Sequence, residues 1–202
     1  MHSSVLERAA DWAGWPLNTH TRNVLMRYAR WLVDEAIPAG GLGPNEGPRV
    51  VSRHVADSLL FAGGWPGPHS PASVVDLGSG VGLPGIPLGV LWPNSHVLLV
   101  DRAGRRVDLA RRAVRVLELE NVEVAGIDAS RVASEADLVV ARAAARLEQV
   151  SDWARRLLRP GGRLVVGGSW EERPEEHPDF EVVEVASSVL DRGVWLRIMA
   201  AA

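Results

Sequence analysis

Residues 74–85, Val-Val-Asp-Leu-Gly-Ser-Gly-Val-Gly-Leu-Pro-Gly, run from a short apolar segment through Asp76 into a turn carrying Gly78, Gly80 and Gly82. Such a strand-to-helix turn lets main-chain N–H groups approach a bound cofactor with no Cβ in the way, and the following helix offers its N-terminus to the ligand. The dinucleotide spacing G-x-G-x-x-G fails when read from Gly78, because Leu83 stands where the third glycine belongs. Read from Gly80 it fits through Gly82 and Gly85, although Pro84 inside it better suits the first turn of a helix. A dehydrogenase therefore stays open on spacing alone.

An acidic residue followed by glycines at every second position also resembles motif I of the S-adenosylmethionine-dependent methyltransferases. That cofactor has no pyrophosphate to cradle, and the Asp76 carboxylate near the turn suits its ammonium group. Ligands in open α/β sheets lie beyond the carboxyl ends of the strands, which directs attention to the residues just after each one. Asp101 follows the second predicted strand and can accept hydrogen bonds from two ribose hydroxyls; the alternative is a helix-capping aspartate. Asp128, Ala129 and Ser130 follow the third and are placed to read an adenine amino group. Arg142 ends the fourth, in Ala-Arg-Ala-Ala-Ala, as a ligand-facing arginine or as the ion-pair partner of Asp137 or Glu148.

The elements that must position these residues alternate. Helices are expected over about 4–13, 19–36 and 49–62, with a Gly- and Pro-rich loop from Ile37 to Pro48 and a second break from Gly63 to Pro71. Strands are expected at 73–77, 96–100, 122–125, 137–141, 163–167, 181–186 and 194–200, and helices over 84–91, 104–117 and 147–158. The last two strands, joined by Asp191-Arg192-Gly193, read as a hairpin. Strand–helix alternation predicts an α/β fold, Rossmann-like, with a mostly parallel seven-stranded sheet, an antiparallel edge hairpin and an N-terminal helical cap. The cap is assigned to residues 1–62 and the ligand-binding domain to 63–202, together forming one compact unit.

Composition narrows the chemistry. The 202 residues are 47% apolar, enough for a buried core, and contain no cysteine, which excludes thiolate nucleophiles and Cys-ligated metal. All 22 basic residues are arginine, so lysine-based Schiff-base chemistry is excluded. Six scattered histidines give no H-x-x-x-H pair, and no metal is expected. No apolar run has the length of a membrane span and the N-terminus lacks a signal-peptide pattern, so no membrane partner and a cytoplasmic location are expected. The net charge is −3 but unevenly spread. Arg102, Arg105, Arg106, Arg111, Arg112 and Arg115 face only Asp108, whereas Glu171, Glu172, Glu175, Glu176, Asp179, Glu181 and Glu184 face only Arg173. One basic and one acidic face are predicted.

The run Val75 to Leu88, and its Leu-Pro-Gly-Ile-Pro tail above all, resembles motif I of the RsmG (GidB) family. Three further segments resemble that family: Arg53-His54-Val55-Ala56-Asp57-Ser58-Leu59, Asp101 to Val107, and Ala141-Arg142-Ala143. The resemblance implies transfer of a methyl group from S-adenosylmethionine to N7 of a guanine in 16S ribosomal RNA, by a monomer acting on the RNA or the 30S subunit. It implies that Gly78 and Leu83 line the cofactor pocket, that Ala129 and Ser130 contact adenosine, and that Arg142 borders cofactor and target. On that reading Arg142 is the catalytic candidate, and Arg53, His54, Arg102, Arg105 and Arg106 hold RNA phosphate, with His54 alternatively a structural hydrogen-bonder. The chain departs from the family pattern at Asp128, where an arginine is common, and at Gly167-Gly168, where Lys-Gly is usual. A methyltransferase of the same fold acting on a small molecule or protein, and a non-catalytic binding module, are the competing readings.

Overall fold

Val74, Val75, Leu77 and their neighbours form the central strand β1 (Ser73–Leu77), buried on both faces, which is why it reads as an apolar run and not as an alternation. The structure, a computed structural model, describes residues 2–168 and 173–201. Around β1 the sheet adds β2 (His96–Val100), β3 (Val122–Ala125), β4 (Ala136–Arg142), β5 (Leu158–Gly167), β6 (Glu181–Val185) and β7 (Val194–Ala200), in the order β3-β2-β1-β4-β5-β7-β6. The first five strands are parallel, and β7 runs antiparallel to both β5 and β6. Strand order reverses between β1 and β4, so a crevice opens beyond their carboxyl ends.

The pleat sorts side chains by face. Val74, Val97, Leu99, Val140 and Val165 face helices α1 (His2–Trp12), α2 (Thr19–Trp31), α4 (Gly85–Leu91) and α5 (Gly104–Leu117). Val75, Leu77, Val139 and Leu164 face α6 (Leu147–Leu157), through Val150, Ala154 and Leu157. Helix α5 buries Val107, Ala110, Ala113 and Leu117 at helical spacing and leaves its arginines outward. The N-terminal helices share one continuous core with the sheet: Leu6, Leu25, Tyr28, Leu59 and Phe61 pack in the same cluster as Ile86, Leu138 and Leu196.

Three local predictions are corrected. The helix expected over 19–36 ends as α2 and continues as a wider π turn, Leu32–Ala36, after starting at Asn18, whose side chain accepts from the Thr21 N–H at 2.8 Å. The helix expected over 49–62 is composite: a 3-10 turn Gly47–Arg49, a π turn Val50–Ala56, α3 (Asp57–Leu59) and a 3-10 turn Leu60–Gly64. Between β6 and β7 a short helix, α7 (Ser187–Leu190), precedes Asp191, where the sequence reading placed no helix. The acidic stretch is described only in part, because Glu171 and Glu172 lie outside the described residues.

Gly167, at which the resemblance noted above implies lysine, is explained by packing. A Cβ there would stand 2.4 Å from Phe61 Cζ, so the ring of the cap occupies the space a side chain needs. Among the described residues, no helix is long and apolar enough to cross a membrane and no cluster of His, Asp or Glu could hold a metal ion.

Candidate active site

The chain leaves β1 by donating from the Gly78 and Ser79 N–H groups to the Val100 carbonyl, at 2.8 and 3.0 Å. It turns with φ of 74°, 60° and 104° at Gly78, Gly80 and Gly82, a region where side chains are strained. At Gly78 there is also no room, since a Cβ would lie 2.6 Å from that of Ala144. The Tyr28 hydroxyl of α2 donates to the Val81 carbonyl at 2.9 Å, which ties the cap to the turn.

Asp76 lies below this turn, not in it. Fully buried and absent from the cavity wall, it accepts the Gly85 N–H through Oδ2 at 2.7 Å, while Oδ1 has no partner. The structure thus overturns the expectation that its carboxylate faces a ligand ammonium: it pins the start of α4 to β1. Gly82 likewise stays off the cavity wall, packed against Ile86 and the Tyr28 hydroxyl. Burial pushes the Asp76 carboxyl from 3.8 up to about 7. The folded chain therefore retains a proton that the unfolded chain releases near pH 4, and stability falls as pH rises from there through about 7. Asp76→Asn, which keeps the acceptor for Gly85, is expected to raise the melting temperature at pH 8 but not at pH 5, the pH-dependent part amounting to roughly a few kcal/mol. A mutant-minus-wild-type difference that stays flat with pH contradicts this.

Asp101 closes the other side of the turn. Its Oδ2 accepts from the Gly80 N–H at 3.0 Å and its Oδ1 from the Ala103 N–H at 2.8 Å, with Arg106 Nε 3.7 Å away. Asp128 caps the turn Ala129–Arg131: its Oδ1 accepts from the Ser130 hydroxyl at 2.6 Å and the Ser130 N–H at 3.0 Å, which holds the carboxyl below its ordinary value. Arg102 approaches the same carboxylate at 3.6 Å.

Arg142, at the end of β4, pairs with neither Asp137 nor Glu148. Its Nη1 donates to Asp57 Oδ2 at 3.3 Å, and Asp57 Oδ1 accepts from Arg192 Nη2 at 2.8 Å. Asp137 is committed elsewhere, accepting from Ser73 and pairing with Arg159. After Arg142 the backbone enters a left-handed conformation at Ala143, φ 51°, a strained geometry for a residue with a Cβ.

These pieces meet in one cavity of about 660 Å³, in the size range of small-molecule sites. Its wall includes Gly78, Gly80, Leu83, Asp101, Asp128, Ala129, Ser130 and Arg142, with Arg102 and Arg106. Sequence reasoning missed Gly41 and Leu42 of the cap loop, Ala143 to Ala145, and Gln149 and Trp153 of α6, all on the wall. The i,i+4 spacing of Gln149 and Trp153 was a usable signal. Gly41, set so close to Val81 that a Cβ would lie 2.6 Å from its side chain, gave none.

Of the RNA-contact candidates, Arg105 follows the cap loop on α5, its Nη1 3.5 Å from where a Gly40 Cβ would stand. Arg53 and His54 lie on the π turn, outside the cavity wall. His54 Nε2 meets Glu46 Oε2 at 2.9 Å with the ring largely buried, and burial, then the Arg142 charge, push its pKa down. Enclosed and paired with a carboxylate, His54 has the geometry of the structural hydrogen-bonder that the sequence offered as its second role. Arg53 is partly exposed, with Nε 3.9 Å from Glu46.

Sheet order, glycine turn and crevice together define the Rossmann-like fold of the S-adenosylmethionine-dependent methyltransferases. The chain is similar in structure to a ribosomal protein L11 methylase from Lactobacillus delbrueckii subsp. bulgaricus, with a TM-score of 0.59 and 17% identity over 74% of this chain and 79% of the other. It is also similar to TrmN from Thermus thermophilus, with a TM-score of 0.57 and 20% identity over 75% of this chain and 53% of the other. Within that class the chain belongs to the family described as rRNA small subunit methyltransferase G, whose model matches residues 21–186. Ribosomal RNA small subunit methyltransferase G of Mycolicibacterium gilvum is 38% identical over 75% of this chain and 68% of its own length. The protein of the same name from Thermobifida fusca is 36% identical over 85% and 72%.

Proposed function

We propose that this protein transfers the methyl group of S-adenosylmethionine to N7 of a guanine in 16S ribosomal RNA, as a monomer in the cytoplasm. The observation that carries the reading is the make-up of the cavity wall. Among the described residues it holds no His, Tyr, Lys or Glu side chain, and its two carboxylates, Asp101 and Asp128, already accept main-chain hydrogen bonds. An acceptor that must lose a proton needs a base, which this wall does not offer. Guanine N7 presents a lone pair and needs none.

The wall fits the cofactor. Gly80 leaves open space where a side chain would project, Asp101 presents a carboxylate at the end of β2, and Asp128 to Ser130 border the cavity after β3. When bound, S-adenosylmethionine supplies a methyl group already activated on a sulfonium. The protein's task is alignment, and holding reacting atoms in line supplies much of the available acceleration. On this reading Arg142 orients the base: its guanidinium can donate to a carbonyl oxygen beside N7 while leaving the N7 lone pair free.

Arg102, Arg105 and Arg106 are the proposed phosphate contacts at the mouth. Neutralising all three to glutamine is expected to flatten the slope of log RNA affinity against log salt by roughly two to three. An unchanged slope removes them from the interface.

To test the reaction, purified protein is incubated with methyl-labelled S-adenosylmethionine and either 30S subunits or deproteinised 16S RNA, and the nucleosides are separated. Label in 7-methylguanosine is the expected result. Label in another nucleoside or in ribosomal protein contradicts the proposal.

A further inference from the structure

Three arginines line the cavity among the described residues, and each has a carboxylate beside it. Arg106 has Asp101 at 3.7 Å, Arg102 has Asp128 at 3.6 Å and Arg142 has Asp57 at 3.3 Å. The first two carboxylates belong to the cavity wall; Asp57 does not. It comes from the composite helical segment of the cap, is 7% exposed, and has both oxygens occupied by guanidinium groups. Its second partner, Arg192, projects from the connection between β6 and β7 with its side chain 34% exposed, against 16% for Arg142.

An unbalanced arginine would be a poor wall for this ligand. Resting on the function proposed above, the bound methyl donor carries a positive sulfur. In the transfer the N7 lone pair forms the new N–C bond, the S–C bond breaks with its electron pair left on sulfur, and no proton departs. Positive charge thus passes from sulfur to the base, remaining inside the cavity throughout. A lone guanidinium on the wall would repel that charge before, during and after the step, and low dielectric surroundings would strengthen the repulsion.

We propose that Asp57 is the positioning and charge-balancing residue of this site: it fixes the guanidinium of Arg142 against the wall and cancels its charge toward a cationic ligand. Asp57 touches neither reactant and acts through Arg142. Arg192 opposes it by drawing on the same carboxylate, with the opposition reduced by solvent at its more exposed position. Arg142 is thereby able to donate directed hydrogen bonds without adding a full charge to the cavity.

Comparing two ligands that differ in that charge separates this role from simple support of the fold. S-adenosylmethionine and S-adenosylhomocysteine share adenosine, ammonium and carboxylate groups but only the first has a sulfonium. Calorimetry on the full chain gives the ratio of their dissociation constants, methionine form over homocysteine form. Asp57→Asn is expected to raise the ratio roughly three- to tenfold, and Arg192→Gln to lower it by a smaller factor. A purely structural loss weakens both ligands alike and leaves the ratio unchanged. An unchanged ratio in a folded Asp57→Asn, or shifts of the same sign in the two variants, overturns the proposal. Should Asp57→Asn fail to fold, Arg192→Gln decides alone: a lowered ratio supports the proposal, and a constant or raised one overturns it. If neither ligand binds wild-type protein, the cofactor assignment itself falls and this inference with it; binding of both with constant ratios sinks the inference only.

Discussion

Replacing Arg142 by alanine is expected to slow methyl transfer to 30S subunits or 16S RNA at least about a hundredfold, the scale of losing one positioned hydrogen-bond donor to the reacting base. The loss should fall on kcat, with S-adenosylmethionine affinity changed less than tenfold, because the glycine turn and Asp101 are untouched. The fold should survive, since Asp57 keeps Arg192 at 2.8 Å when Arg142 is gone. Arg142→Lys is the informative companion: it preserves the charge but not the planar fork, so a deficit nearly as large as alanine's marks geometry as the contribution. A folded Arg142→Ala that methylates at the wild-type rate removes Arg142 from the reaction.

The second large effect is expected at Gly78. Alanine there meets two penalties at once, a φ of 74° and a Cβ 2.6 Å from that of Ala144. The first costs about 1–2 kcal/mol and the second, as overpacking, about 1–3 kcal/mol. Because Ala144 lies on the cavity wall, relieving the clash deforms the site, and S-adenosylmethionine affinity should fall more than tenfold. Gly80→Ala isolates the first penalty: φ is 60°, but the nearest atom beyond the local chain is Arg106 Cδ at 3.9 Å. Without ligand, Gly78→Ala should therefore unfold at a clearly lower temperature than Gly80→Ala. Equal losses in the two variants contradict the close-approach role of Gly78.

What was legible in the sequence was local or periodic. The parallel strands announced themselves as short apolar runs, and glycines at alternate positions marked the turn whose left-handed backbone the structure shows. Strand ends then pointed to Asp101, Asp128 and Arg142, all of which reach one cavity because strand order reverses beside them. The unread part depended on contacts between distant segments. Asp57 and Arg142 are 85 positions apart and Asp57 and Arg192 are 135 apart, so their pairing has no signature in spacing. Asp76 was placed on the wrong side of the turn because its sequence position says that it precedes the glycines, not which face of β1 it occupies. The pleat puts it toward α4, where Gly85 takes its carboxylate. His54, for which the sequence left phosphate contact and structural hydrogen bonding both open, meets Glu46 across the 3-10 and π turns that join them.

If this cavity serves methyl transfer to guanine N7 in the small-subunit RNA, that modification depends on the gene and on Arg142. The most direct measurement is nucleotide-resolution mapping of 7-methylguanosine in 16S ribosomal RNA from cells with the gene, without it, and without it but carrying either the wild-type or the Arg142→Ala coding sequence. One such position is expected to lose its methyl group on deletion and to regain it with the wild-type sequence but not with Arg142→Ala. An unchanged set of 7-methylguanosine positions on deletion would contradict it.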